Sequence, residues 1–262
     1  MAKIKVIGVS YLKYFIITGT SRGLGESIVK QILDKDHTLF CISRKQNNEL
    51  KELAFEKGIN LYYFSCDLQK SEEIEKVMER IFSSIDFSNA EGIYLVNNAG
   101  MIDPIKPIGK ASPKELTANM HVNLLAPMLL SSYFIRHTAS FSTKKVIVNI
   151  SSGAANRARH GWTAYSSSKA GIDMFTKSVG FEQETTENPV TMISFSPGVM
   201  DTEMQEIIRK TNKEDFIEVD QFIEYNEKGM LRSPDFIAGV ILDLIVNQEL
   251  INGHIYDIKS FL

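Results

Sequence analysis

Apolar positions along the chain come in two spacings, and the two alternate. Phe15, Ile16 and Ile17 form a short unbroken run, the pattern of a strand buried on both faces. From Glu26 the spacing becomes helical, with Ile28, Ile32 and Leu33 on one side. Similar apolar runs at 38–42, 59–65, 93–96, 146–150 and 190–195 predict further strands, and 255–258 a short last one. A helix carrying Leu50, Leu53 and Ala54 should end near Gly58. The helix from Ser71 is clearer. Glu72 and Glu73 suit its positive end, and Ile74, Val77, Met78, Ile81, Phe82 and Ile85 make one apolar face. Ser112, Pro113 and Glu115 form a capping box with proline at the first helical position, opening a long helix through about Arg136. Helices are also predicted over 164–182 and from Ser233, the latter with Ile237, Val240, Ile241, Leu244 and Ile245 inward.

Strand and helix in strict alternation predict an α/β fold. It is a doubly wound parallel sheet of about seven strands, Rossmann-type, with helices on both faces. Residues 14–262 read as a single catalytic domain. Residues 1–13, with lysines at 3, 5 and 13, read as an N-terminal extension too short for a secretory signal. The 262 residues are 44% apolar and 23% charged, as in an ordinary globule. A net charge of -3 gives no reason to expect nucleic acid or an anionic membrane as partner. No apolar run approaches the roughly 20 residues that cross a bilayer, and a cytoplasmic protein is expected. Cys41 and Cys66 sit in apolar runs and read as buried thiols, and histidines 37, 121, 137, 160 and 254 show no metal-ligand spacing.

In such sheets ligands bind beyond the carboxyl ends of the strands. The first strand ends in Gly19, Gly23 and Gly25, spaced Gly-x3-Gly-x-Gly. A strand, a glycine turn and a helix bring bare N–H groups up to a phosphate; a tight turn with no ligand is the plain alternative. The second strand ends in Ser43-Arg44-Lys45, with no acid before Glu49. A guanidinium there suits a 2′-phosphate, and Arg22 could join Arg44, which favours NADPH over NADH. Thirteen residues after Ser152, Tyr165 and Lys169 stand at i and i+4 of one helix. A phenol normally ionises near pH 10, and a nearby cation lowers that value, so Tyr165 is expected to serve as an acid or base near neutrality.

Thr18 to Gly25, Asn97-Asn98-Ala99-Gly100, the set Ser152, Tyr165 and Lys169, and Pro197-Gly198 followed by Thr202 together resemble the short-chain dehydrogenase/reductase family. The resemblance runs from Tyr14 to Asp257. It implies a nicotinamide-dependent oxidoreductase, which Arg44 makes NADPH-dependent, with Asn123 as fourth catalytic residue, holding a water linked to the lysine. It implies cofactor contacts from Gly19, Ser21, Arg22, Gly23, Leu24, Gly25 and Arg44. Asp67 and Leu68 would meet the adenine; Asn98, Ala99 and Gly100 would lie along the cofactor, with Asn97 bracing strands. Pro197, Gly198, Val199 and Thr202 would hold the nicotinamide carboxamide, and Tyr165 and Lys169 the ribose. For Asp67, capping a turn is an equally good reading.

A narrower likeness, in 148–155, 161–169 and 197–205, is to the bacterial benzil reductase ((S)-benzoin forming) group, itself similar to sepiapterin reductases. It implies reduction of a diketone, with Tyr165 giving the proton and Ser152 binding the oxygen. Sepiapterin reductase-like or 3-oxoacyl-carrier-protein reductase activity are the enzymatic alternatives, and an NADPH-binding sensor or scaffold the non-enzymatic one. Residues 199–232 mix charges with Met204, Ile207, Ile208, Phe216, Phe222 and Tyr225, and read as one or two short helices closing over the substrate. Trp162, Met204 and Phe216 are candidate substrate walls. Asp257 is a candidate substrate ligand, although an acid closing the last strand is the plainer reading. Leu129, Leu130, Tyr133, Phe134, Met174, Phe175 and Val179 look too apolar for solvent, and a homodimer through the two helices that carry them is expected.

Overall fold

A computed structural model describes residues 12–262. The expected extension lies outside the described residues as far as position 11; Leu12 and Lys13 already belong to the first strand, where the Lys13 N–H donates to the Asp36 carbonyl. The strands are β1 (Leu12–Thr18), β2 (His37–Ser43), β3 (Asn60–Ser65), β4 (Ala90–Asn97), β5 (Lys144–Ile150), β6 (Thr191–Ser196) and β7 (Ile255–Asp257). All neighbours pair in parallel, in the order β3-β2-β1-β4-β5-β6-β7. The order reverses between β1 and β4, the switch point at which sheets of this kind bind ligands. The helices are α1 (Gly23–Gln31), α2 (Asn48–Lys57), α3 (Ser71–Phe82), α4 (Pro113–Met120), α5 (Ala126–Thr138), α6 (Thr163–Gln183), α7 (Glu203–Arg209), α8 (Val219–Glu227) and α9 (Pro234–Asn247).

The period of two in the strands divides the core. Phe15 and Ile17 of β1 face α1 and α9, joining Ile28, Val29, Ile237 and Ile241. Tyr14 and Ile16 face the other way, onto Ile74, Met78, Leu130 and Phe134 of α3 and α5. Both layers are apolar, which is why the strands read as unbroken runs. Among the described residues, no helix is long and apolar enough to cross a membrane. Both cysteines are free and buried, and no metal-binding cluster occurs among the described residues.

The structure corrects three expectations. The long helix from Ser112 is not uniform. Its capping box is present, but a π turn, His121–Leu125, separates α4 from α5. The dimer face was assigned too broadly: Leu130, Phe134 and Val179 are buried in the core beneath α5 and α6, and Leu129, Tyr133 and Phe175 pack partly against it. Met174 alone of that set stands 61% exposed. The last strand stops at Asp257, whose Oδ1 accepts from the Lys259 N–H and starts a short 3-10 turn.

β5 also begins two residues earlier than its apolar pattern, on Lys144 and Lys145. Lys145 is 3% exposed. Its ammonium donates to the carbonyls of Thr138 (3.2 Å), Phe141 (2.6 Å) and Asn188 (2.7 Å), tying the end of α5 and the loop after α6 to the sheet. Burial pushes its pKa down, yet three carbonyls hold the charged form in place. Lys145→Met should therefore leave those carbonyls unpaired and lower stability by about 2–4 kcal/mol. Urea denaturation reads this directly; an unchanged midpoint would show that the carbonyls find other partners.

Candidate active site

The glycine turn after β1 is built by contact between backbones. Gly19 and Gly23 have φ of +73° and +61°. A Cβ on Gly25 would lie 2.3 Å from the Gly19 carbonyl oxygen, and one on Gly19 would lie 2.9 Å from the Ala99 Cα. Only glycine permits that approach. Thr18 locks it from the side. Its hydroxyl accepts from the N–H groups of Asn98 and Ala99, both at 3.0 Å, and donates to the Val96 carbonyl. The turn leads into α1, whose first N–H groups receive no side-chain cap and so remain open to an anion. Ser21 and Leu24 lie in this segment, Leu24 with its side chain in the core. The Ser21 carbonyl accepts from Asn47, which caps α2.

Arg44 is exposed at the end of β2, with no ion-pair partner among the described residues. Arg22 does not join it. Its guanidinium pairs instead with Glu203 at the start of α7, bridging the turn to the segment after β6. Asp67 acts as a turn cap, its Oδ1 accepting from the Gln69 N–H, with Leu68 half-buried beside it. Asn97 braces strands as expected, donating to Asn149 Oδ1 at 2.8 Å. Asn98 braces too. Its amide donates to the carbonyls of Thr18 (2.9 Å) and Gly19 (3.2 Å), so those donors serve the turn.

Gly100 comes close to the reactive set. A Cβ there would lie 3.3 Å from Asn123 Oδ1 and 3.8 Å from Lys169 Nζ. Asn123 sits on the π turn, 1% exposed, and clamps Met101. It accepts from the Met101 N–H (2.9 Å) and donates to the Met101 carbonyl (2.8 Å). Asn119, one turn earlier and missed in the sequence, donates to the Asp103 carbonyl at 2.7 Å and accepts from Asn123. The Asn-x3-Asn spacing was its only signal.

Ser152 follows β5 and opens a short 3-10 turn, its Oγ accepting from the Ala154 N–H. Tyr165 and Lys169 share the inner face of α6, the Lys169 Nζ 5.7 Å from the centre of the Tyr165 ring. Both are buried. Burial raises the pKa of the Tyr165 phenol, and the Ser152 hydroxyl beside it pulls that value back down. The expected lowering by Lys169 is not what dominates. Lys169 turns its ammonium to the Ile150 carbonyl at 2.7 Å, and burial pulls its own pKa down to about 8.

After β6, Gly198 has a φ of +71°, and a Cβ there would press on Arg232 and Ile258. Met200 and Arg232 form an isolated bridge, and the Arg232 N–H donates to the Val199 carbonyl at 3.1 Å. Entry and exit of the 199–232 segment are thereby pinned together. Thr202 faces the glycine turn, with its Cγ2 3.7 Å from where a Gly23 Cβ would be.

Two short helices, α7 and α8, do form between these ends, as expected. Their inner surface is a separate apolar cluster of Ile102, Ile105, Trp162, Tyr165, Ile208, Phe216 and Phe222. Phe216 is fully buried and stacks face to face on Trp162, centroids 5.1 Å apart. It therefore backs Trp162 and offers no wall of its own, contrary to the expectation. Trp162 meets the Tyr165 ring edge-on at 5.6 Å. Met204 is half-buried beside the cluster, and Asp257 is engaged in its turn. Sequence reading also missed Arg159. Its guanidinium lies over the rings of Trp162 (5.4 Å) and Phe222 (5.1 Å) and pairs with Glu218 at 2.7 Å. Partners some sixty positions away leave no local signal.

A buried phenol with a hydroxyl beside it, a buried ammonium one turn away and a phosphate-sized glycine turn across a crevice can bind a nucleotide and move a proton at a substrate oxygen. The family model for short chain dehydrogenases matches residues 13–213. A benzil reductase ((S)-benzoin forming) of Bacillus subtilis is 51% identical over 96% of this chain and 100% of its own length. A protein of the same description from Bacillus cereus is 44% identical over 95% of this chain and 100% of its own. Among solved structures, the KRED1-Pglu enzyme superposes with a TM-score of 0.80 at 27% identity, covering 93% of this chain and 99% of that one.

The packing around Trp162 makes a direct prediction. Phe216→Ala should destabilise the protein by about 3–5 kcal/mol, a large aromatic lost from a closed cluster. Met204→Ala, half-buried at the margin, should cost far less. Comparing the two denaturation midpoints checks this, and equal midpoints would count against Phe216 as a packing residue.

Proposed function

This chain belongs to the short chain dehydrogenase family, and on that premise we propose that it uses NADPH to reduce one carbonyl of an aromatic 1,2-diketone of the benzil type, giving the (S)-hydroxyketone. One observation carries the reading: half-identity along the whole length of the Bacillus subtilis benzil reductase. The flat Trp162 ring, held edge-on to the Tyr165 phenol, supports it by offering an aromatic surface beside the proton donor.

The residues fit a nicotinamide dinucleotide phosphate. The uncapped start of α1 and the side-chain-free approach at Gly19, Gly23 and Gly25 suit a pyrophosphate, with Ser21, Arg22 and Leu24 contributing backbone. Arg44 suits the 2′-phosphate, while Arg22 is turned toward Glu203 in an exposed pair. Asp67 and Leu68 would border the adenine, Asn98 shapes the turn, and Ala99 and Gly100 would give close passage. Pro197, Gly198, Val199 and Thr202 take the carboxamide end. When bound, the dihydronicotinamide supplies the hydride.

The chain's own groups handle the oxygen. Tyr165 donates its phenolic proton as charge develops there, and its burial keeps that proton in place at neutral pH. Ser152 donates a second hydrogen bond to the same oxygen. Lys169, 5.7 Å from the centre of the Tyr165 ring, would hold the ribose, while Asn123 fixes the Met101 backbone behind them. A cytoplasmic homodimer completes the reading, with exposed Met174 and Phe181 on α6 and Met128 on α5 at its interface.

The test is a carbonyl panel of benzil, a pterin and a ketoacyl thioester, each with NADPH and NADH. Benzil should be reduced fastest and NADPH preferred. Arg44→Asp should cut the ratio of kcat/KM for NADPH over NADH by about tenfold or more, the loss of one charge-assisted pair and its replacement by repulsion. Equal use of both cofactors by the wild type would remove the case for NADPH. Tyr165→Phe keeps the ring and loses the proton, so kcat should fall by about 10²–10⁴ with NADPH affinity little changed. A variant that kept most of its kcat would overturn Tyr165 as the acid.

A further inference from the structure

The face of α6 that carries Tyr165 and Lys169 continues one turn further to Asp173. Asp173 is 7% exposed. Burial raises the pKa of its carboxyl, and the hydroxyls of Ser151 and Ser194 beside it, with the charges of Lys169 and Lys177, oppose that rise. Ser194 belongs to a buried polar chain. Its Oγ is 2.8 Å from Thr176 Oγ1, which accepts from Asn149 Nδ2 at 2.9 Å; Asn149 in turn accepts from Asn97. The carboxylate thus ends a row of polar groups that crosses β4, β5 and β6 just beneath the reactive set. Oδ1 of Asp173 makes no hydrogen bond. None of the groups assigned to substrate or cofactor needs this acid.

Lys169 needs one. Its ammonium is 6% exposed and has a single neutral partner, the Ile150 carbonyl. A buried ammonium so poorly compensated tends to lose its proton. The ionisable groups facing it are Tyr165 and Asp173, both from α6. The end of β5 contributes only a carbonyl, the end of β4 the bare Gly100, and the π turn the uncharged Asn123. Lys177 lies a turn beyond, exposed, and acts on Asp173. We propose that Asp173 is a positioning residue of this site: its buried carboxylate is the counter-charge that keeps Lys169 an ammonium beside Tyr165 at neutral and mildly alkaline pH. The catalytic consequence rests on the reductase reading; the charge coupling does not.

The sign is as follows. Burial pulls Lys169 down to about 8, and Asp173 opposes that pull. Removing the carboxylate leaves burial unopposed, so Lys169 should lose its proton at lower pH. Burial also raises the Asp173 carboxyl, so its counter-charge grows as the pH rises and the effect belongs to the alkaline side.

The first measurement uses the cofactor-free protein labelled with ¹³C at lysine Cε, the Lys169 resonance being assigned by its loss in Lys169→Met. In Asp173→Asn its titration midpoint should fall by about one pH unit relative to wild type. An unmoved midpoint in a folded variant overturns the proposal. Should Asp173→Asn fail to fold, Asp173→Ser, which keeps a polar partner for the Ser194 hydroxyl, is titrated in its place under the same criterion. The second measurement is the pH profile of benzil reduction. Its alkaline limb should move down by the same interval in Asp173→Asn and return in Asp173→Glu. A shifted Lys169 midpoint with an unmoved rate profile overturns the role in the reaction. If the wild type reduced no carbonyl, the reductase reading would fall, and the apoprotein titration would still decide the coupling.

Discussion

Two backbones meet at the point where the sheet reverses, and the rest of the site depends on that contact. Gly25 lies against the Gly19 carbonyl with no room for a methyl group, and Gly19 in turn lies close against Ala99. Asn98 and Ala99, after β4, hold the pair by donating hydrogen bonds to Thr18 and Gly19 at the end of β1. A side chain at either glycine would part the strands there. The start of α1 would move away from the crevice, and Gly100 would no longer stand within reach of Asn123 and Lys169. The glycine turn and the Tyr165–Lys169 pair are therefore two sides of one close approach.

The second constraint is polar and buried. Asn97, Asn149, Thr176 and Ser194 sit in a layer where apolar residues would pack at less risk. Each finds a partner across a different pair of elements, so the chain of hydrogen bonds fixes the stagger of β4, β5, β6 and α6 relative to one another. That stagger sets where Ser152 falls against Tyr165. Lys145 does comparable work at the far edge, its ammonium closing three carbonyl-lined ends.

The covering segment over the site is held unevenly. Around its middle it is knitted to the catalytic loops. A Cβ at Gly161, with φ of +80°, would collide with the Asp215 carbonyl, and Trp162, Phe216 and Arg159 form a stacked group above the phenol. At its start, α7 is joined to the glycine turn by the exposed Arg22–Glu203 pair, a kind of contact worth little in water. The middle of the segment is packed on both sides, whereas its start is fixed mainly by the exposed pair.

The local part of this protein was legible in its residues. Strands follow from unbroken apolar runs and helices from spacings of three to four, the capping box at Ser112 from four adjacent positions, and the Tyr165–Lys169 pair from one helical turn. The alternation of those elements was enough for the parallel sheet, and the ends of its strands for most of the site. What the tertiary structure alone decided involves groups far apart in the chain. Arg22 went to Glu203 and not to Arg44; Phe216 was buried behind Trp162; Leu130, Phe134 and Val179 turned to the core. The protonation balance is of the same kind. The sequence placed a cation one turn from a phenol, but burial and the neighbours of each group set the direction in which each is pushed, and both depend on which distant residues exclude the water.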